Sequence, residues 1–89
     1  METDYWAEML RQADEFERQG KTDLAQNLLN VALQLLPETE KKIRGRILLR
    51  RGEIAYRLKN SQGAREDFRK AVALDPELGK GFNGDFSKY

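Results

Sequence analysis

In four stretches of this chain apolar residues return every three or four positions, the period of a helix that buries one face. Over residues 4–19 the apolar set is Trp6, Met9, Leu10, Ala13 and Phe16, with Asp4, Glu8 and Asp14 largely on the other side. Thr3 or Asp4 is placed to cap the start. Gly20 stands where a helix commonly ends. A second helix follows from about Thr22 or Asp23, and its stripe of Ala25, Leu28, Leu29, Ala32, Leu33 and Leu36 stops at Pro37. Little more than Gly20 and Lys21 separates the two, so they must fold back as an antiparallel hairpin. The plan then recurs. Residues 40–58 carry Ile43, Ile47, Leu48, Ile54, Ala55 and Leu58, and Asn60 and Ser61 offer a turn and a cap. Residues 62–74 carry Ala64, Phe68, Ala71, Val72 and Leu74, and Pro76 ends them.

Shifting the chain against itself by 39 residues gives eight identities: Leu10/Leu49, Arg11/Arg50, Arg18/Arg57, Ala25/Ala64, Ala32/Ala71, Leu35/Leu74, Pro37/Pro76 and Glu38/Glu77. Conservative pairs such as Met9/Leu48, Ala13/Gly52 and Leu29/Phe68 join them. Most fall on small and apolar positions that a helical hairpin has to bury, so the two hairpins read as a repeat.

On these residues the chain resembles the tetratricopeptide repeat family, whose unit is 34 residues long. Starting the pattern at Trp6 puts Met9, Ala13, Phe16, Ala25, Leu29, Ala32 and Pro37 on its apolar, small and proline places. Starting it at Gly45 does the same for Leu48, Gly52, Ala55, Ala64, Phe68, Ala71 and Pro76. The resemblance implies an all-α fold, two antiparallel helix-turn-helix hairpins stacked as a short right-handed α-solenoid. It divides residues 1–78 into repeats at about 6–39 and 45–78, and leaves 79–89 as a tail containing glycine and aromatic residues. Because the spacing exceeds the family's, residues 40–44 are expected to be an insertion that lengthens the third helix by more than one turn, with Ile43 on its apolar face. Two repeats are few, since such stacks usually need about three and a capping element.

Composition narrows the chemistry. Cysteine and histidine are both absent from the 89 residues, which removes disulfides, thiol nucleophiles, histidine bases and zinc-type metal sites together. Glu15 with Glu17, and Glu66 with Asp67, are neighbours that point in different directions on a helix. Gly79, Lys80 and Gly81 lack the context of a phosphate-binding loop. No catalytic residue, metal or cofactor is expected, and the chain is not read as an enzyme. No apolar run nears the roughly 20 residues that cross a bilayer, and the acidic start is unlike a signal peptide. A reduced intracellular location, most simply the cytoplasm, is the expectation.

A net charge of +1 hides an asymmetry: residues 1–39 hold 3 basic and 8 acidic side chains, and residues 40–89 hold 13 and 7. The basic excess is densest in the third helix, where Lys41, Lys42, Arg44, Arg46, Arg50, Arg51 and Arg57 face a single acid, Glu53. Arg46, Arg50 and Arg57 share a face. In the family this face lies near the concave surface where ligands bind, so the resemblance implies a partner site of Leu10, Leu49 and Tyr56 with Arg46, Arg50 and Arg57 as its cationic rim. The plainer reading pairs the arginines with Glu8, Asp14 and Glu17 of the first helix. The lysine and asparagine with which some family members clamp a chaperone's C-terminal carboxylate are replaced here by Leu10 and Asp14, and by Leu49 and Glu53 in the second repeat. That role is therefore not expected.

Phe82, Phe86 and Tyr89 of the tail are spaced like one helical face, and three readings stand: the tail shields the fourth helix, docks into a larger partner, or is disordered. The leading expectation is an adaptor, scaffold or assembly factor that binds a protein or peptide segment, acidic in character, between the first and third helices. The alternative is a structural subunit that self-associates or docks through its helix ends and tail. Nucleic-acid binding by the basic helix comes last, because its cations lack interleaved aromatics.

Overall fold

The computed structural model describes residues 2–82. They form α1 (Glu2–Arg18), α2 (Thr22–Leu35), α3 (Lys41–Arg57) and α4 (Ser61–Leu74), followed by a short 3-10 segment, Pro76–Phe82. Helices α1 and α2 make one antiparallel hairpin, α3 and α4 the other, and α3 packs on both members of the first. The fold is a small all-α stack of two helical hairpins. Thr3 and Asp4 lie within α1 rather than at its cap, and acidic residues suit a helix's first turn.

Both hairpins turn by the same device. In the first, Lys21 N donates to Phe16 O at 2.8 Å and Gly20 N to Glu17 O at 3.0 Å. In the second, Asn60 N donates to Ala55 O at 2.8 Å and Lys59 N to Tyr56 O at 2.9 Å. These are the paired bonds of a Schellman ending, which needs a left-handed residue. Gly20 supplies it at φ 78°, and Lys59, 39 positions on, at φ 65°. That turn carries Leu58 outward past the end of α3, where it is 49% exposed; the apolar face of the third helix stops at Ala55. Of the two helices that follow these turns, α4 has a side-chain cap, Asn60 Oδ1 accepting from Gly63 N at 3.0 Å, and α2 has none.

Ala13, Ala25, Ala64 and Ala71 are fully buried, as are Leu29, Ile47, Ile54 and Phe68. Small residues set the helix separation. A Cβ at Gly52 would meet the Phe68 ring at 2.8 Å and Ala64 O at 3.2 Å. Ile43, expected to extend the apolar face of α3, is buried in the shared core.

A polar tie crosses the outer side of the stack. Arg51 donates from Nε to Asp67 Oδ2 at 2.9 Å and from Nη2 to Oδ1 at 2.8 Å, while its Nη1 reaches Asn30 Oδ1 at 3.1 Å. One guanidinium thus joins α2, α3 and α4. Its hydrogen bonds to Asp67, the only buried polar or charged side chain among the described residues, hold the Arg51 pKa above its ordinary value. Arg44 Nη1 donates to Leu33 O at 3.1 Å, a cation at the carbonyl end of α2 where the helix dipole favours it.

The 3-10 segment lies against α4. Gly79 is buried so near α4 that a Cβ there would meet Val72 Cγ1 at 3.1 Å. Leu78 packs on the main core, reaching the face of α3 at Gly45.

Candidate functional site

Helices α1 and α3 leave a hollow of about 250 Å³ between them, lined by Ala7, Leu10, Arg11, Asp14, Arg46, Leu49, Arg50 and Leu78. A space of that size accepts side chains rather than a whole small-molecule ligand, for which pockets start at roughly 300 Å³. Beside it a more polar hollow of about 480 Å³ is lined by Asp14, Glu17, Arg18, Thr22, Arg50 and Arg57. Asp14 and Arg50 belong to both and form the wall between them.

Four of the residues singled out from the sequence meet in the first hollow: Leu10, Arg46, Leu49 and Arg50. Leu10 and Leu49 are half-buried and supply the apolar floor. Arg57 is placed in the second hollow. Tyr56, 45% exposed, lines neither. Phe86 and Tyr89 lie outside the described residues, as does the side chain of Phe82. Leu78, which sequence reasoning did not count, closes one side of the floor.

The arginines differ in what they already hold. Arg50 Nε lies 2.9 Å from Asp14 Oδ1 and its Nη1 2.8 Å from Glu53 Oε1. Arg57 is ion-paired with Glu17, whose side chain is only 10% exposed. Both contacts between α3 and α1 are the internal pairings that the acidic first helix allows. Glu8 turns to Arg11 instead, and the hydrogen bond from Arg11 holds the Glu8 carboxyl below its ordinary pKa. Arg46 is exposed at the rim of the first hollow and has no ion-pair partner among the described residues. This is the cation that remains available.

Comparison with protein-family models matches residues 45–78 to the tetratricopeptide repeat. The second hairpin is a tetratricopeptide repeat. The matched stretch holds most of α3, all of α4 and the start of the 3-10 segment. Searches of curated proteins and of solved structures return no match. Such repeats are protein–protein interaction modules, so protein partners follow for this chain at that level. No helix among the described residues is long and apolar enough to cross a membrane.

Proposed function

We propose that this chain is a non-catalytic adaptor or assembly factor that binds an acidic segment of a partner protein in the hollow between α1 and α3. Leu10 and Leu49 give the segment an apolar seat, and Arg46 meets its carboxylate. The observation that carries this reading is the state of Arg46: it stands exposed beside an apolar floor, while Arg50 and Arg57 are neutralised by Asp14, Glu53 and Glu17. An arginine with open donors takes a carboxylate in a charge-assisted, two-bond contact. Arg50 and Arg57 then act mainly by holding α3 to α1 and keeping the seat in shape. A floor this small gives modest affinity, so the partner segment extends beyond it.

The nucleic-acid reading is the weaker one. Four of the cations of α3, Arg44, Arg50, Arg51 and Arg57, are already engaged by groups of the protein itself.

The test is capture of partners from native lysate by the wild-type chain and by Arg46→Glu and Leu10→Asp variants. A protein retained by the wild type and weakened at least about tenfold by each variant supports the reading. Equal retention of every captured protein by all three chains would sink it. RNA or DNA lost in Arg46→Glu, with a steep dependence on salt, would move the function to nucleic acid.

A further inference from the structure

Helix α2 has two apolar faces. One, Ala25, Leu29, Ala32 and Leu33, is buried in the core. The other is Leu24, Leu28, Val31 and Leu35, spaced four, three and four residues apart and therefore on one line along the helix. Leu28 is half-buried, but Leu24, Val31 and Leu35 are 48%, 46% and 61% exposed. They supply half of the large hydrophobic residues found exposed among the described residues, the others being Tyr5, Tyr56 and Leu58.

The repeat says where this line faces. A shift of 39 carries it onto Gly63, Asp67, Lys70 and Leu74 of α4. Gly63, Asp67 and Lys70 look toward α2, lining with Gln26 and Asn30 the cleft between those two helices. The line on α2 therefore looks toward the place of one more helix, beyond the open end of the stack. A whole preceding hairpin does not fit that place. Ile43, Ile47 and Ile54, buried where α3 meets the first hairpin, correspond to Asp4, Glu8 and Glu15 of α1. Glu8 and Glu15 are exposed and paired with Arg11 and Arg18. The open end thus offers an apolar seat on α2 beside a solvated α1, which suits one helix and not two.

Charge identifies the occupant. Of the 14 residues of α2 only Asp23 is charged, in a chain that is 35% charged. The amides beside the line are Asn27 and Gln34. A second α2 meets that surface with no like charges opposed and no charge left facing an amide. Charge-poor, apolar cores of this kind mark association surfaces. We propose that a second copy of the chain packs its α2 on this one, antiparallel, with Leu24 of each copy near Leu35 of the other and Leu28 near Val31. A parallel pair would set both Asp23 carboxylates and both helix N-termini side by side. One line of side chains per copy makes a small interface, under about 1,200 Å² in total, and hence a dimer in exchange with monomer. The hollow between α1 and α3 shares no residue with this surface, so the two readings stand or fall separately.

The experiment is sedimentation of the full chain across rising concentration, beside Val31→Asp and Leu35→Asp variants whose fold is checked by circular dichroism. The expected mass climbs from 10.3 kDa toward twice that value for the wild type. Each variant should dissociate at least about tenfold more readily with an unchanged helical spectrum. Because the chain has no cysteine, a Leu24→Cys/Leu35→Cys double variant should oxidise to a covalent dimer, and Leu24→Cys alone should not. A wild-type mass fixed at one chain overturns the proposal. So does a dimer indifferent to both aspartates, or one abolished only by Phe86→Ser/Tyr89→Ser. A dimer cross-linked by Leu24→Cys alone overturns the antiparallel arrangement.

Discussion

Lys59 occupies a backbone conformation that Gly20 occupies at the same place in the other hairpin, and the two residues differ in what that costs them. A side chain at positive φ crowds the following carbonyl by roughly 1–2 kcal/mol, whereas glycine does not but loses more entropy on folding. The first effect is larger here because the turn is fixed by two backbone hydrogen bonds. Lys59→Gly should therefore stabilise the fold by about 0.5–1 kcal/mol, and Gly20→Ala should destabilise it by about 1 kcal/mol. Urea unfolding of the two variants against the wild type measures both. A second residue-scale prediction concerns Arg51 and Asp67. Removing one partner of a buried pair costs about 3–5 kcal/mol, and less where water reaches it. The Arg51 side chain is 27% exposed and that of Asp67 8%, so Asp67→Ala should cost about 2–3 kcal/mol. The Arg51→Gln/Asp67→Leu chain, which copies the Gln12 and Leu28 of the first repeat, should recover most of that loss. A double variant no more stable than Asp67→Ala would show that the pair contributes net stability rather than avoiding a penalty.

At the scale of the element, most of the architecture is legible in the sequence, because helix packing leaves a local signature. Small residues at the crossings, apolar residues at helical spacing, and glycine or asparagine at the turns each act within a few positions. Gly52 illustrates the physics. Alanine there would gain about 1 kcal/mol of helix propensity, yet its Cβ would stand 2.8 Å from the ring of the fully buried Phe68. Overpacking of that kind costs about 1–3 kcal/mol, so Gly52→Ala should be destabilising by up to about 2 kcal/mol in thermal melts, and Gly52→Val by more. What escaped the sequence is non-local or two-sided. The Arg51–Asp67–Asn30 tie joins residues 16 and 21 positions apart, and Arg51 reads as one more member of a basic run. Its signal was a paired exchange: where the first repeat has Gln12 and Leu28, the second has Arg51 and Asp67. The second face of α2 was hidden because Leu28 merges with the buried stripe, although Leu24, Val31 and Leu35 extend the apolar arc well beyond what one core needs. Of the candidate site, Leu10, Arg46, Leu49 and Arg50 were legible through the repeat, while Tyr56 shares their helical face in sequence but not their hollow.

Across the whole molecule the two ends of the stack are finished differently, and Leu78 tests what the finishing does. At the first end α1 is solvated by its own ion pairs, and α2 is left apolar. At the second end the chain lays its 3-10 segment against α4, and Leu78 reaches over Gly45 to the core. Leu78 also walls the hollow beside Leu10 and Leu49, so it belongs to the capping of the stack and to the proposed binding floor at once. Truncating a half-buried leucine to alanine removes about half of the burial that costs roughly 2–5 kcal/mol in a full core, or about 1–2 kcal/mol. Leu78→Ala should therefore lower stability by about 1–2 kcal/mol while leaving the two hairpins folded, since neither their turns nor the Arg51 tie involves it. Under conditions where the variant is still fully folded, partner capture should also fall, because the floor has lost one wall. Arg46→Glu should lower capture with no loss of stability, since Arg46 holds no partner among the described residues. The two variants together separate the roles. If Leu78→Ala melts earlier yet captures the partner as well as the wild type, the 3-10 segment is a cap alone and the binding floor ends at Leu49.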